Sequence, residues 1–285
     1  DGRLAEPSVA LCEVQGYVYG AYLARAHLAE LDQDPLTASR CRERAGELRR
    51  RFDEAFWLSE QGYYAIALDR DKAPVDALAS NMGHCLWTGI VRGERAEQVV
   101  ARLLGPELFS GWGIRTLATS MARFNPVSYH NGSVWPHDNA LVVAGLMRYG
   151  FTEAAQRVAT GIVSTAATFG GRLPELFCGF DRRDVPVPVA YPSSCSPQAW
   201  AAATPLSLLR TLLRLDTCLP HRQVVADPVL PASWGHLHVT GLPLGPTRIT
   251  LDTTDPTVAT TPLPEDTQRL GAVGVGSEHP CTAAR

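Results

Sequence analysis

A dense run of polar and aromatic residues occupies positions 129–139, with the sequence Tyr-His-Asn-Gly-Ser-Val-Trp-Pro-His-Asp-Asn. Aromatic rings stack on the faces of sugars, and amide, imidazole and carboxylate groups hydrogen-bond sugar hydroxyls. The alternative is structural: His137 or Asp138 caps the following helix and Trp135 fills core. The concentration of such groups in one segment favours a carbohydrate pocket. Its candidate contacts are Tyr129, His130, Asn131, Trp135, His137 and Asp138.

Glu175 is a candidate acid/base residue in the segment Leu-Pro-Glu-Leu-Phe at 173–177. A carboxylate between proline and bulky apolar residues is partly desolvated, which favours its neutral form and raises its pKa, as acid/base catalysis requires. The alternative is a surface ion pair with a nearby arginine, and spacing alone favours that alternative slightly. The arginines in question are Arg172, Arg182 and Arg183.

Glu13 is a third candidate, in the segment Glu-Val-Gln-Gly-Tyr at 13–17. It falls in the first turn of an apolar helix, so it faces either a polar cavity or an ion pair. Weaker candidates are the pair His236 and His238, for which a third metal ligand is not evident, and Cys195, beside which nothing lowers the thiol pKa. The sequence contains no phosphate-binding loop, dinucleotide fingerprint or nucleophile elbow.

Composition excludes several classes of function. The net charge of −3, with 45% hydrophobic and 19% charged residues, is typical of a globular protein and gives no basic surface for nucleic acid. The longest apolar stretch, 140–147, is too short to span a membrane. Seven cysteines without a CxxC pair indicate neither a disulfide framework nor a zinc site, which favours a reducing, cytoplasmic compartment. No cofactor and no metal are expected.

Hydrophobic patterning predicts seven helices that alternate between buried and amphipathic types. Asp34 followed by Pro35 signals the start of the second helix, and Pro205 is expected to kink the last one. The first helix is expected to be buried on most sides. The alternation predicts helical hairpins arranged as an inner ring within an outer ring. The predicted ranges are 9–31, 35–56, 79–91, 94–104, 138–149, 152–169 and 196–215.

Two long connections, 109–137 and 170–195, are rich in Gly, Pro, Trp and His, and loops of this length are usually functional. A hairpin or a single strand is predicted within 61–68, and a β-hairpin is predicted from 237–240 and 247–251. The remaining residues, 253–285, have the composition of a disordered tail. The predicted domain limits are therefore 1–220, 221–252 and 253–285.

Four segments, in their order along the chain, resemble the C-terminal catalytic part of glycogen-debranching-enzyme-like amylo-α-1,6-glucosidases, which are six-hairpin glycosidases. The segments are 13–17, 129–138, 173–177 and 195–200, and the resemblance covers about residues 1–250. It implies an all-α fold, an (α/α)6 toroid with the active site at one mouth. Because seven helices make only part of six hairpins, the chain is expected to be the C-terminal portion of that toroid. The implied activity is inverting hydrolysis of an oligosaccharide or glycogen-like α-glucan.

The resemblance also implies residue roles. Glu175 matches the general base that activates water, and the family's general acid is an aspartate that would precede Asp1. The acid is therefore expected in an N-terminal remainder of the same enzyme, and the isolated chain is expected to be inactive. The predicted substrate-binding residues are Glu13, Gln15, Tyr17, Trp112, Tyr129, His130, Asn131, Trp135, His137, Asp138, Gln198 and Trp200.

Two other functions stay open. The chain could be a toroid remnant that binds carbohydrate without catalysis, or another α/α-toroid enzyme, a lyase or epimerase, with His130 or His137 in acid/base work. A Trp-Lys-Asp-like segment upstream would favour the hydrolase over the remnant. A pH profile sensitive to His130 but not to Glu175 would favour the lyase or epimerase. In every case the expected partner is a sugar, and neither nucleic acid nor a membrane is expected.

Overall fold

The computed structural model describes residues 2–218, 223–244, 247–254, 259–261 and 268–269. The chain separates into two compact units, of which the first runs to Pro205 and the second begins at Leu206. This division falls inside the last helix, whereas the sequence predicts a boundary at residue 220. Among the described residues, no helix is both long enough and apolar enough to cross a membrane.

Seven α-helices are described, in the order that the patterning predicts. Asp34 caps the second helix as predicted, because its carboxylate accepts a 3.0 Å hydrogen bond from the Thr37 amide. The third helix ends at Gly89, whose φ of 83° suits a residue without a Cβ. The helices are α1 Cys12–Leu31, α2 Pro35–Phe56, α3 Asn81–Thr88, α4 Gly93–Leu103, α5 Pro136–Arg148, α6 Thr152–Thr165 and α7 Ala199–Leu212.

The helices of the first unit form an inner and an outer layer. Helix α3 contacts both α1 and α5, and each of these three is paired with the helix that follows it: α1 with α2, α3 with α4, and α5 with α6. Glycines allow the inner helices to approach closely. A Cβ on Gly83 would lie 2.4 Å from Val142, and one on Gly16 would lie 2.7 Å from Thr88. The inner helices α1, α3 and α5 thus alternate along the chain with the outer helices α2, α4 and α6. This arrangement confirms the predicted partial toroid of helical hairpins.

One flank of α1 is exposed, so the prediction that this helix is buried on most sides is wrong. The contacts with α2 and α3 bury the face that carries Cys12, Gly16 and Tyr19. Val14, Tyr17 and Val18 remain 43%, 40% and 41% exposed. Two packing partners cover only part of a helix that is apolar nearly all round, because each neighbour covers one stripe of its surface.

The first unit also contains short strands, β1 Ala10–Leu11, β2 Trp57–Leu58, β3 Tyr63–Tyr64, β4 Ala67–Leu68 and β5 Pro74–Val75. Strands β2 and β3 form an antiparallel pair, while β4 lies between β1 and β5 in a second sheet. The prediction of one hairpin or one strand within 61–68 is therefore wrong. The chain turns at Gly62, where φ is 70°, so that β3 pairs with β2 before it and not with β4 after it.

The second unit is mainly β-structure. Its described strands are β6 Asp216–Cys218, β7 Gln223–Val225, β8 His238–Leu244, β9 Thr247–Asp252, β10 Ala259–Thr261 and β11 Gln268–Arg269. Strands β8 and β9 confirm the predicted hairpin, with His238 opposite Asp252, and β8 is irregular between Val239 and Leu242. Within the predicted tail, β10 pairs with β9 and β11 pairs with β7, and most of that tail lies outside the described residues.

Candidate active site

The two long loops of the first unit are fastened to each other by backbone pairing. Val134 and Phe177 exchange two hydrogen bonds of 2.9 and 3.0 Å, and further bridges join Val134 to Arg115 and Phe177 to Ala190. The loop before α5 and the loop before α7 are thereby held side by side. Since Glu175 lies two residues before Phe177, this pairing places it near the polar and aromatic segment at 129–135.

Glu175 is buried, with 6% of its surface exposed, and both of its carboxylate oxygens accept hydrogen bonds. The Tyr129 hydroxyl donates to Oε1 at 2.7 Å, and the Cys195 backbone amide donates to Oε2 at 3.2 Å. The bond from Tyr129 is the largest cause that lowers the pKa of Glu175, and donors on Cys195 and Gln198 add to it against the effect of burial. The raised pKa expected from the sequence is therefore wrong, because donors to the charged form outweigh desolvation.

Two of the three arginines considered as ion-pair partners of Glu175 have other neighbours. Arg183 pairs with Asp181 at 2.9 Å, and the Arg182 guanidinium lies 4.1 Å from the centroid of the Trp112 ring. Within the described part of the chain, no arginine forms an ion pair with Glu175. Trp112, predicted to bind substrate, is buried beneath Arg182, and its backbone carbonyl lies against Gly161 of α6.

An aromatic cluster lies beside Glu175. The His137 imidazole stacks on Trp200 with ring centroids 3.8 Å apart, and Trp135 stands nearly perpendicular to both rings. Trp200 is 46% exposed, so the cluster presents an aromatic surface to solvent. Such a surface suits the apolar face of a sugar ring. The members of the aromatic cluster are Tyr129, His130, Trp135, His137, Tyr191 and Trp200.

A hydrogen-bonded network joins the three inner helices next to this cluster. His84 of α3 contacts the Tyr17 hydroxyl of α1 through Nδ1 and Asp138 Oδ1 of α5 through Nε2, each at 2.5 Å. Asp138 is 7% exposed, and its Oδ2 has no hydrogen-bond partner among the described residues. Asn81, one turn before His84, donates a 2.8 Å bond to Glu13 Oε1. Glu13 thus has a neutral polar partner on α3.

His84 and Asn81 were not among the residues predicted from the sequence, although a signal was present. Two polar residues three positions apart share one face of a helix, and α3 is otherwise largely apolar. Such a pair within a buried helix requires polar partners. Those partners come from α1 and α5, which are distant in sequence, so only the folded chain identifies them.

The pKa values of two histidines of the site are shifted in opposite directions, because negative charges prevail over burial at His84 and burial prevails at His137. Burial opposes protonation of His84, but the hydrogen bond to Asp138 and the negative charges of Asp138 and Glu13 prevail, so its pKa is raised. For His137, burial is the largest influence and lowers the pKa, against the charges of Asp138 and Glu175. Burial, followed by the charge of Glu13, raises the pKa of Tyr17 to about 12. His137 is therefore neutral at pH 7, while His84 protonates more readily than a free histidine.

The remaining predicted residues have mainly local contacts. Gln15 donates to the carbonyl of Leu11, the residue directly before α1, and Asn131 takes part in a turn through its backbone amide and carbonyl. Gln198 accepts a bond from the Trp200 amide at the start of α7. These three residues lie near the site's segments, and of them Gln198 also contributes to the lowered pKa of Glu175.

Asn139 has a structural role, although its segment suggests sugar binding. Its side chain is fully buried, accepts from the Ile114 amide at 2.7 Å, and donates to the carbonyls of Ile114 and Trp135.

His238, a weak candidate for a metal ligand, lies in the second unit and pairs with Asp252. No group of three His, Cys, Asp or Glu side chains within the described ranges is placed to hold a metal ion.

Comparison with solved structures defines the class of fold. The neutral trehalase Nth1 of Saccharomyces cerevisiae is 18% identical, with a TM-score of 0.56 over 72% of this chain and 38% of the trehalase. The mannosylglycerate hydrolase of Thermus thermophilus, solved with glucose, is 22% identical, with a TM-score of 0.56 over 70% of this chain and 47% of that enzyme. A sialidase gives a TM-score of 0.70 at 14% identity, over 88% of this chain and 24% of the sialidase. The fold is that of an (α/α)6 toroid glycosidase, present in part.

The family follows from the sequence. Residues 2–177 match the mannosylglycerate hydrolase MGH1-like glycoside hydrolase domain, and the chain belongs to that family. A mannosylglycerate hydrolase of Rubrobacter radiotolerans is 29% identical over 161 residues, 53% of this chain and 36% of the relative. The mannosylglycerate hydrolase MGH1 of Selaginella moellendorffii is 40% identical over 74 residues, 26% of this chain and 15% of the relative. The chain therefore spans about a third or less of these curated relatives.

Proposed function

We propose that this chain supplies the water-activating side of an inverting glycoside hydrolase site, with Glu175 as the general base. The observation that carries this proposal is the buried Glu175 carboxylate, held ionised by donors from Tyr129 and Cys195 beside the aromatic cluster. An ionised carboxylate with a fixed orientation accepts a proton from water as that water attacks the anomeric carbon. A lowered pKa suits a base and not an acid.

Inverting hydrolysis requires a second carboxyl group, the general acid, about 6.5–9.5 Å from the base. In our proposal this acid comes from an N-terminal remainder of the same enzyme. The described carboxylates Glu13 and Asp138 hold the sugar instead, since each is engaged with the network on α3. The isolated chain is then expected to bind sugar without hydrolysing glycosides.

If the substrate is an α-linked hexoside, the group that hydrolysis releases from the sugar could be one of two kinds. The first is a further sugar, as in an α-glucan or its 1,6-branches, which the ordered motifs of the debranching type favour. The second is a small hydroxy acid, favoured by the family match and by the names of the relatives. Turnover of isomaltose and a limit dextrin, compared with that of mannosylglycerate, distinguishes the two leaving groups in the complete enzyme.

We also propose that the protein is cytoplasmic. The described free thiols, including Cys41 and Cys195, support this location, because the cytoplasm keeps thiols reduced.

The lyase or epimerase alternative requires a histidine as acid or base. His137 is neutral and stacked against Trp200, and His130 stacks parallel to Trp135, which makes both rings parts of the aromatic surface. Glu175 has the stronger set of fixed donors. We therefore propose a hydrolase in preference to a lyase or epimerase, and in preference to a remnant that only binds sugar.

The test is Glu175→Gln in the complete enzyme, with Glu153→Gln on the exposed face of α6 as the matched control. The substitution keeps the side chain's shape and removes the proton acceptor, so kcat should fall by about 10²–10⁴-fold with little change in KM. The control should retain wild-type kcat. NMR of the first product formed should show inverted anomeric configuration.

Azide gives a sharper version of this test. In Glu175→Ala, a small anion can enter the space of the lost carboxylate and attack the anomeric carbon from the side normally used by water. An α-glycoside should then yield the β-glycosyl azide. If Glu175→Gln keeps most of its activity and azide gives no product, the base lies elsewhere, and Asp138 becomes the next candidate.

A further inference from the structure

His84 is hydrogen-bonded at both ring nitrogens, to a phenol on one side and to a carboxylate on the other. Nε2 lies 2.5 Å from Asp138 Oδ1, and Nδ1 lies 2.5 Å from the Tyr17 hydroxyl. A carboxylate only accepts, so Nε2 carries a proton and donates to Asp138. The hydrogen bond between Nδ1 and Tyr17 then has two possible polarities, and the charge of His84 decides between them.

In neutral His84, Nδ1 has a lone pair and accepts the Tyr17 hydroxyl proton. The Tyr17 oxygen then offers only lone pairs to a ligand. In the protonated ring, Nδ1 carries a proton and donates it to the Tyr17 oxygen, so the hydroxyl proton is free to point elsewhere. The exchanged proton comes from solvent, and Tyr17 stays neutral in both states.

We propose that His84 is a positioning residue that sets Tyr17 as a hydrogen-bond donor to the bound sugar while it orients Asp138 as the acceptor. The inference rests on the proposed function, because it concerns how the same pocket holds its sugar. The unpartnered Oδ2 of Asp138, more than nine-tenths buried, is the acceptor left for a ligand. Tyr17, on the exposed flank of α1, is the donor. A donor and an acceptor on one network match two hydroxyls of one sugar ring.

The groups around His84 favour its protonated form, against the effect of burial. Asp138 faces it from α5, and Glu13 and Tyr17 face it from α1. His137 also lies close by, but burial lowers its pKa and keeps it neutral, so it adds no charge to this group. The thiol of Cys12 also lies close to Tyr17 and is uncharged, since hydrogen bonding to Cys85, followed by burial, raises the Cys12 pKa well above its usual value.

The charge of His84 makes the affinity for the sugar depend on pH. Below the pKa of His84, Tyr17 donates to the sugar. As the pH rises through that pKa, the Tyr17 hydroxyl turns to Nδ1 and the sugar loses one donor. Loss of one neutral hydrogen bond weakens affinity by about two- to tenfold. Affinity for the sugar should therefore decline at higher pH, although Glu175 stays ionised throughout that range.

The experiment uses the 285-residue chain and follows its histidine rings by ¹H–¹⁵N NMR during a pH titration. We expect His84 to titrate above the value of about 6.5 for a free histidine, and its pKa to fall in Asp138→Asn. The internal control is His238, which pairs with Asp252 on exposed strands. Its ring resonances at a given pH should lie at the same positions in wild type and in Asp138→Asn.

The second arm titrates methyl α-D-glucopyranoside and methyl α-D-mannopyranoside at pH values on either side of the His84 pKa. Wild type should bind more weakly above it, and Tyr17→Phe should bind weakly and equally at both pH values. Tyr22→Phe, on the same helix, is the matched control and should keep the wild-type dependence. Because Tyr17 is partly exposed, its variant remains informative even if Asp138→Asn fails to fold.

The outcomes separate this inference from the proposed function. If His84 titrates at or below the free value, or if Tyr17→Phe keeps the pH dependence of binding, the positioning role is overturned. If neither glycoside binds but His84 titrates high and responds to Asp138→Asn, the network is supported and the proposed function fails. If sugar binds equally at both pH values in wild type, the pocket binds carbohydrate but His84 does not set the Tyr17 donor.

Discussion

The Tyr129 hydroxyl donates a 2.7 Å hydrogen bond to Oε1 of Glu175, across 46 positions of sequence. This bond is the largest cause that lowers the pKa of Glu175, and it also raises the pKa of Tyr129 to about 12. The two residues come from different loops, held together by the pairing of Val134 with Phe177. The charge state of the candidate base therefore depends on a partner that the local sequence around Glu175 does not reveal.

Replacement of Tyr129 by Phe should raise the pKa of Glu175, because the carboxylate loses its main donor. In the complete enzyme the acidic limb of the kcat/KM profile should move to higher pH. Tyr191→Phe, which keeps the ring edge against Tyr129 and leaves the Glu175 donors in place, should leave that limb unchanged. Equal profiles for wild type and Tyr129→Phe would contradict the assignment.

The same bond predicts a dependence of stability on pH. The folded-state pKa of Glu175 lies below its unfolded value, so its contribution is present above about pH 4.3 and is lost as pH falls through the folded pKa. Tyr129→Phe should narrow the difference in unfolding free energy between neutral and acidic pH. Urea titrations at the two pH values, on wild type and variant, measure that difference.

Trp200→Ala should weaken sugar binding by about two- to tenfold, because stacking on an aromatic ring contributes on the order of 0.5–1.5 kcal/mol. Its ring is 46% exposed and lies on His137, which makes it the accessible surface of the aromatic cluster. Trp234→Ala, in the 3-10 helix of the second unit, is the matched control. NMR titration with a methyl glycoside gives both affinities, and equal losses in the two variants would argue against a stacking surface at Trp200.

Gly83→Ala should destabilise the first unit by about 1–3 kcal/mol, the usual cost of overpacking. The new Cβ would lie 2.4 Å from Val142 Cγ2, at the point where α3 meets α5. Gly46→Ala should instead stabilise the protein, since a Cβ there meets nothing within 4 Å and the position lies inside α2. That variant should gain about 0.5–1 kcal/mol from helix propensity. Urea unfolding measures both, and a neutral Gly83→Ala would show that the helices can separate without cost.

The exposed flank of α1 should make the isolated chain self-associate, because contiguous apolar surface on a monomer favours association. Val18→Asp, on that flank, should shift the chain toward monomer in sedimentation-velocity measurements. Leu36→Asp replaces an exposed leucine on α2 and should leave the association unchanged. A wild-type chain that is monomeric at every concentration would contradict this prediction.

Local sequence determined the helices and identified part of the candidate site. Periodic apolar positions identified all seven of the described helices, and the Asp34–Pro35 pair located the start of α2, because helix formation and capping depend on residues within one or two turns. The polar and aromatic segment at 129–139 and Glu175 were also evident, since their residue types are concentrated in long loops.

Tertiary structure decided what those groups do. The direction of the Glu175 pKa shift depends on donors from Tyr129 and Cys195, and burial alone predicts the opposite direction. His84 acquires its role from Tyr17 and Asp138, which lie 67 and 54 positions away in sequence. Hydrogen bonds and charges act over a few ångströms in space, so their effects on each group are set by how the helices and loops pack and not by neighbours along the chain.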